Sequence, residues 1–208
     1  MGKPKTNQEP GSSLLSILET RYGLARTTIE KIGAFVVMWA TFEGDLERAL
    51  WQLTNEVPEG TVPTTDTKPV SRLIAMFREE GLKLEGGDWQ RIVTLLCDTA
   101  KNLAEYRNAL VHGRLLPTSV GGGLVLNAAW HGEQRTRDPV TAHIDDNLVG
   151  IMLDALQELL VLVRVIASGG TTPNTDPSVL ERVPSLQHAY AGAGEVRFLT
   201  EAMNSEKY

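Results

Sequence analysis

The feature that most constrains this chain is an unbroken helical segment that runs from Thr27 to Asn55. It contains no proline, and its apolar residues recur at alternating spacings of three and four, which is the period of one helix face. Thr27 with Glu30 three residues later forms a capping-box arrangement, so the helix is predicted to begin there. A helix of this length spans roughly 43 Å. Its apolar face can be covered only by other long helices.

Similar patterns predict the remaining helices. They are a short helix from residue 12 or 13 to Gly23, a helix from Val70 to about Gly81, a long helix from Trp89 to about His112 capped by Asp88, and a last long helix that starts after Asp145 and stops at Gly169 and Gly170. Together with segment 27–55 they predict an all-α fold, an antiparallel bundle of four to five helices.

The chain changes character between the third and the last long helix. A triple glycine at 121–123, two short β-prone runs and a turn-rich centre predict a small β-hairpin insertion. The predicted organisation is a flexible N-terminus at 1–11, a helical bundle at 12–168 and a tail at 169–208 interrupted by proline and glycine. The tail is either disordered or docks loosely through a short helix or two.

Composition excludes several classes of protein. The chain has 208 residues with 42% apolar and 22% charged residues, which is typical of one soluble domain with tails. A net charge of -6 argues against broad, non-specific coating of nucleic acid, although it allows a small local site. Cys97 is the only cysteine, so a disulfide framework and a thiolate metal cluster are excluded and a reducing, cytoplasmic setting is expected. The apolar stretch 148–167 carries four polar residues and is therefore a buried helix, with no membrane partner expected. No metal pattern or cofactor motif is present.

Two of the predicted helices each carry one charge inside an apolar row. The first row is Ile29, Ile32, Val36, Trp39, Glu43, Leu46, Leu50 and Leu53. The second is Trp89, Ile92 or Val93, Leu96, Ala100, Leu103, Arg107 and Leu110. An ionised carboxylate in such a row costs several kcal/mol unless it is paired. We therefore expect Glu43 and Arg107 to form one buried or half-buried ion pair, which either fixes helix register or belongs to a functional site.

The neighbouring face of the same late helix carries Glu105, Asn108 and His112. Asn108 and His112 lie one above the other on that helix, whereas Glu105 is interpreted as an ordinary solvated residue. Arg107 and His112 are about 140° apart around the helix axis. They do not share a face, so they can serve one site only where the helix loosens or where a groove is entered from two sides.

These residues resemble a known family. The string "RNALVHG", with Arg107, Asn108 and His112, resembles the R-polar-x-x-x-H signature of the HEPN superfamily (higher eukaryotes and prokaryotes nucleotide-binding domains). The segment "VVMWATFEGDLERAL", with Trp39 and Glu43, is similar to the first core helix of bacterial members. The resemblance covers about residues 27–167, and the order of the long helices and the small insertion agrees with it.

The position of the signature on a long amphipathic helix distinguishes it from chance matches. An arginine and a histidine separated by five to seven residues also occur at Arg137 with His143 and at Arg182 with His188. Neither of those matches lies on a predicted helix.

The resemblance implies a homodimer whose two signature helices meet in a composite cleft, and metal-independent cleavage of RNA. His112 would be the general acid and base for attack of a ribose 2′-hydroxyl on the neighbouring phosphate. Arg107 would hold the phosphate, Asn108 would orient the phosphate or the imidazole, and Glu43 would position Arg107. The resemblance also suggests a toxin or defence effector, with a neutralising antitoxin as a second partner.

Two other functions remain open at this point. One is a non-catalytic helical-bundle module that binds a nucleotide, RNA or a protein through the same cleft. The other is a structural dimer in which Glu43 and Arg107 only lock helix register. Self-association is also suggested by the last long helix, whose two adjacent apolar stripes need cover either from a partner chain or from the centre of the bundle.

Overall fold

The computed structural model describes residues 10–117, 123–126, 141–168 and 173–205, and it confirms the predicted all-α class with a small β insertion. The helices are α1 (Pro10–Tyr22), α2 (Arg26–Thr54), α3 (Val70–Gly81), α4 (Gly87–His112), α5 (Asp146–Ala167), α6 (Pro177–Leu180) and α7 (Val183–Ser205), and a short 3-10 turn covers Pro173–Thr175. The strands are β1 (Arg114–Pro117), β2 (Gly123–Leu126) and β3 (Thr141–Ile144).

The start of each long helix tests the predicted caps. Asp145 caps α5 as predicted, because its side chain accepts a hydrogen bond of 2.8 Å from the backbone N–H of Leu148. The predicted caps Thr27 and Asp88 are wrong. The N-cap positions of α2 and α4 are Ala25 and Gly86, and neither makes a side-chain cap hydrogen bond.

Helix α2 packs along α5, and the two form the centre of the bundle. Its most buried residues are Phe35, Trp39, Phe42, Leu46, Ala49 and Leu50. This stripe is rotated relative to the predicted one, since Val36 is 36% exposed. One residue changes the direction of a side chain by about 100°, so a small error in choosing the stripe moves a residue from the core to the surface.

Helices α3 and α4 form a close pair beside α2. Trp89 is buried at the start of α4 and donates a hydrogen bond of 2.6 Å from Nε1 to the carbonyl of Gly81. A Cβ atom at Gly81 would lie 2.9 Å from a methyl carbon of Val93, so the glycine allows the close approach of the two helices. The predicted apolar row of α4 is buried from Trp89 to Leu103.

The insertion is a three-stranded antiparallel sheet with the order β1-β2-β3, where the sequence predicted a two-stranded hairpin. The third strand leads directly into α5, and its residues Ala142 and Ile144 are buried. Residues 127–140, which include the predicted turn-rich centre with Trp130 and His131, lie outside the described residues.

The segment predicted as an interrupted tail contains the long helix α7. This helix packs against α4 and α5, and Leu186, Ala189, Ala193 and Val196 are buried there. Proline is compatible with the first turn of a helix, which explains why Pro177 begins α6. The prolines therefore mark helix starts as well as interruptions.

Helix α5 is covered within one chain. Both of its predicted apolar stripes are buried by α2, α7 and neighbouring elements, and Leu148, Met152, Leu156 and Val163 are at most 6% exposed. The argument for self-association from α5 therefore no longer holds. Among the residues that the structure describes, no helix is both long and apolar enough to cross a membrane.

Candidate functional site

The last turns of α4 carry the candidate residues, and two buried neighbours fix their position. Tyr106 packs edge-on against Phe35 of α2, with ring centroids 6.1 Å apart, and its hydroxyl donates a hydrogen bond of 3.1 Å to the carbonyl of His143 on β3. Ala109 is buried one turn later. Because these contacts hold α4 from two sides, Arg107, Asn108 and the helix end have a defined orientation.

Arg107, Asn108 and His112 all lie at the surface end of α4, with different exposure. Asn108 and His112 are exposed and Arg107 is half-buried. The Nη1 atom of Arg107 donates a hydrogen bond of 3.1 Å to Oδ1 of Asn108. Its Nε atom is buried and has no hydrogen-bond partner in the part of the chain that the structure describes. No carboxylate of the described residues lies within ion-pair distance of Arg107.

The predicted ion pair between Glu43 and Arg107 is therefore not formed. Glu43 is half-buried, and its Oε1 atom accepts a hydrogen bond of 2.5 Å from Nε1 of Trp39, one turn earlier on α2. The indole donor offsets part of the desolvation cost of this carboxylate without any contribution from α4. Glu43 and Arg107 were expected to compensate each other, but Glu43 is satisfied locally and Arg107 has no carboxylate partner among the described residues.

Asp45 is the buried carboxylate that the sequence analysis missed. Its side chain is 12% exposed and accepts a hydrogen bond of 2.8 Å from Nε of Arg164 on α5, while Arg48 lies 3.6 Å away. This pair, which joins the two central helices, occupies the structural role that was expected of Glu43 and Arg107. The sequence period gave no signal for this pair, because Arg164 is 59% exposed and lies outside the two apolar stripes of α5.

A second group of polar residues lies where β3 enters α5. The Nε2 atom of His143 is 3.4 Å from Oδ2 of Asp145, and its buried Nδ1 atom has no hydrogen-bond partner among the described residues. Burial, and secondarily the nearby charge of Asp145, raises the pKa of the Tyr106 hydroxyl above its usual range. Lys31 pairs with Asp146 at 2.5 Å, and this hydrogen bond lowers the pKa of that carboxyl. Because Asp145 caps α5 and Tyr106 remains protonated, the group organises the junction between sheet and helix.

The described residues contain no group of three or more histidine, cysteine, aspartate or glutamate side chains that could hold a metal ion. Burial raises the pKa of the Cys97 thiol to about 12, despite the opposing effect of the nearby Arg78. A thiol that stays protonated at neutral pH is a poor nucleophile. Cys97 therefore belongs to the core between α3 and α4, where its thiol lies 3.6 Å from the carbonyl of Ile74.

A groove between α5 and α7 lies apart from the end of α4. It has a volume of about 530 Å³, and Asp154, Glu158, Ser185 and His188 are among its lining residues. Arg182, the residue before α7, lies 3.5 Å from Glu158 on α5. Arg182 and His188 match the arginine-to-histidine spacing of the signature only by chance. Arg182 pairs with Glu158, and His188 lines the groove.

Comparisons with known proteins give no match to a protein-family model, to a curated protein or to a solved structure. The likeness to HEPN proteins consequently rests on the signature residues and on the helix that carries them.

Proposed function

We propose that this protein is a HEPN-like endoribonuclease that cleaves RNA without a metal ion and acts as a homodimer with a composite cleft. The single observation that carries the proposal is the environment of Arg107, whose half-buried guanidinium has an amide as its hydrogen-bond partner and no carboxylate among the described residues. A cation in this setting favours an anionic ligand, because the ligand replaces the missing counter-charge.

Phosphate is the anion that best suits the group. The planar guanidinium of Arg107 can donate two parallel hydrogen bonds to phosphate oxygens. Asn108 holds the guanidinium through its Oδ1 atom, so its amide nitrogen remains available as a further donor at the exposed side. The net charge of -6 limits attraction to nucleic acid as a whole. We therefore expect RNA binding to depend on this local site.

The proposed reaction is an internal transfer at phosphorus. The imidazole of His112 takes the proton of a ribose 2′-hydroxyl while the 2′-oxygen bonds to the adjacent phosphorus. The bond from phosphorus to the 5′-oxygen of the next nucleotide breaks, and that oxygen receives a proton from the imidazolium of His112 in the second copy, leaving a 2′,3′-cyclic phosphate and a 5′-hydroxyl. Arg107 stabilises the extra negative charge on phosphorus-bound oxygens. A second copy of the chain supplies a second imidazole, which removes the difficulty of the 140° separation.

The contacts change the role expected for Glu43. Because Glu43 accepts from Trp39, the residue that orients Arg107 is Asn108. We therefore expect Glu43→Gln to reduce cleavage less than Asn108→Ala. A larger effect of Glu43→Gln would return the positioning role to Glu43.

The decisive experiment compares cleavage of a fluorescent single-stranded RNA by wild type and variants in the presence of a chelator. His112→Ala and Arg107→Ala should each lower the rate at least about 100-fold, which is typical for loss of a general acid-base or of an oxyanion-stabilising group. Matched controls are His188→Ala and Arg91→Ala, which remove the same side-chain types at exposed positions on α7 and α4. An RNA with a single 2′-deoxy substitution at the cleaved position should stay intact.

The same set of variants separates the competing functions. Tight RNA or nucleotide binding that Arg107→Ala abolishes, with no cleavage by wild type, would replace the nuclease by a non-catalytic binding module. Absence of both binding and cleavage would refute both proposals for this site. For a cytoplasmic toxin with a neutralising antitoxin, expression of wild type should arrest growth of the host, whereas expression of His112→Ala should not.

A further inference from the structure

The groove between α5 and α7 has the size of a small-molecule site. Its volume of about 530 Å³ lies within the roughly 300–1,000 Å³ that such sites occupy. Small residues create this space, because Ala155 and Ala189 line it and are almost fully buried. At one end Gly192 brings α7 close to α5, where a Cβ atom would lie 2.9 Å from Cγ2 of Ile151. The floor of the groove is therefore apolar and closely packed.

The α5 side of the groove carries two carboxylates, Asp154 and Glu158, which lie one helical turn apart. Their separation along the helix axis is roughly 6 Å. Asp154 is exposed, and no cation of the described residues lies within ion-pair distance of it. Glu158 has Arg182 at 3.5 Å, which is long for a charge-assisted hydrogen bond. Both carboxylates can therefore accept strong hydrogen bonds from a bound group.

Further hydrogen-bond acceptors line the same groove. Ser185 and His188 belong to its α7 side, and a hydroxyl oxygen and a neutral imidazole nitrogen can each accept one hydrogen bond. Gln157 adds a side-chain carbonyl from α5. None of the lining residues is a lysine or an arginine. The groove thus presents acceptors on both sides of an apolar floor and no permanent positive charge.

This lining selects the chemical class of the ligand. An anion would be repelled by the two carboxylates, and an uncharged apolar ligand would remove them from water without replacing their hydrogen bonds. A metal ion is disfavoured, because the described residues offer no group of three or more suitable ligands. An alkylammonium ion suits both parts of the groove, since its nitrogen donates to carboxylates and its methylene groups cover the apolar floor.

We propose that the groove between α5 and α7 binds a short aliphatic diamine, with one ammonium group at Asp154 and the other at Glu158. The separation of the two carboxylates along α5, roughly 6 Å, is close to the span between the nitrogen atoms of 1,4-diaminobutane. Its methylene chain then lies over Ala155 and Ala189, which form the floor between the two ends. Each ammonium group supplies the counter-charge that the groove itself lacks.

The inference concerns a ligand other than RNA and a part of the molecule other than the end of α4. It does not rest on the proposed ribonuclease chemistry, so either proposal can fail without the other. Asp154→Asn should abolish the effect of the diamine while RNA cleavage stays at the wild-type rate. Loss of cleavage in His112→Ala should in turn leave diamine binding unchanged.

The test is isothermal titration calorimetry of the full chain with 1,4-diaminobutane. Wild type should bind with a Kd in the millimolar range or below. Asp154→Asn should weaken binding at least about tenfold, because it removes a charge-assisted hydrogen bond. The monoamine 1-aminobutane should bind at least about tenfold more weakly than the diamine for the same reason. Asp66→Asn removes an equal charge at an exposed position between α2 and α3 and should leave the affinity unchanged.

A variant that occupies the groove from within provides an independent test. Ser185→Lys places an alkylammonium group of the chain itself beside the two carboxylates and should abolish diamine binding. Its helix content by circular dichroism should match that of wild type, because Ser185 is exposed. Binding that survives Ser185→Lys would overturn the proposal. Equal weakening by Asp154→Asn and Asp66→Asn would also overturn it, since net charge alone would then explain the attraction, and so would a wild type that releases no heat of binding.

Discussion

Two glycines in α7 allow a sharp test of whether this helix is packed on the bundle. A Cβ atom at Gly192 would lie 2.9 Å from Cγ2 of Ile151 on α5, which is closer than carbon atoms approach without displacement. A Cβ atom at Gly194, on the same helix, would meet nothing within 4 Å. Gly192→Ala and Gly194→Ala add the same methyl group to the same helix. Only at Gly192 does that methyl group meet a neighbouring helix.

The magnitudes follow from the two contacts. Alanine in place of a helical glycine stabilises by about 0.5–1 kcal/mol, and this gain applies equally to both positions. At Gly192 the overpacking against a β-branched side chain costs about 1–3 kcal/mol in addition. We expect Gly194→Ala to raise the free energy of unfolding by up to about 1 kcal/mol. Gly192→Ala should lower it by up to about 2 kcal/mol.

The assay is urea unfolding followed by circular dichroism, with thermal unfolding as a second measurement. A difference of 1 kcal/mol corresponds to about 2–4 °C in Tm for a chain of this size. If α7 were a detached helix or a disordered tail, both variants would leave the unfolding of the bundle unchanged. Equal stabilities of the two variants would therefore refute the packing of α7 on α5. Ile151→Ala removes Cγ2, so it should destabilise the Gly192→Ala variant less than it destabilises the wild type.

Three further predictions concern charge and titration. Arg164→Ala should lower the free energy of unfolding in urea by about 1–3 kcal/mol, because it leaves the nearly buried Asp45 with only the longer contact to Arg48. Solvent screening at the exposed arginine limits this loss. A change below the error of the assay would contradict this role of Arg164. The Cys97 thiol, whose pKa is raised to about 12 by burial, should react with a disulfide reagent at pH 8 only after unfolding, and rapid labelling of the native protein would refute its burial. The depressed pKa of Asp146 adds stability above the ordinary carboxyl pKa that is lost as pH falls through the folded value, so Asp146→Asn should flatten the acid side of the stability profile; an unchanged slope would show that the bond to Lys31 is not linked to folding.

Local chemistry was sufficient for the helices that the sequence predicted well. The segment from Val70 to Gly81 was predicted with the bounds that the structure has, because a proline precedes it and a glycine-rich turn follows it. Asp145 was identified as the cap of α5 because capping is also local: its side chain accepts from the backbone N–H three residues later. The apolar row of α4 followed from its period alone.

Sequence patterns did not decide which faces meet. A run of prolines and glycines suggested a tail, but whether α7 packs depends on space beside Gly192 and on the apolar surface that α5 presents. The expected ion pair of Glu43 and Arg107 does not form, because Trp39 of α2 itself donates to Glu43. The partner of Asp45 is Arg164 on another helix, and the period of the apolar residues gives no information about such a contact. The sequence by itself determined the helices from α1 to α5, the cap of α5 at Asp145, and the line of polar residues at the end of α4. The tertiary structure decided which charges are compensated, because compensation depends on distances between elements that are far apart in the chain.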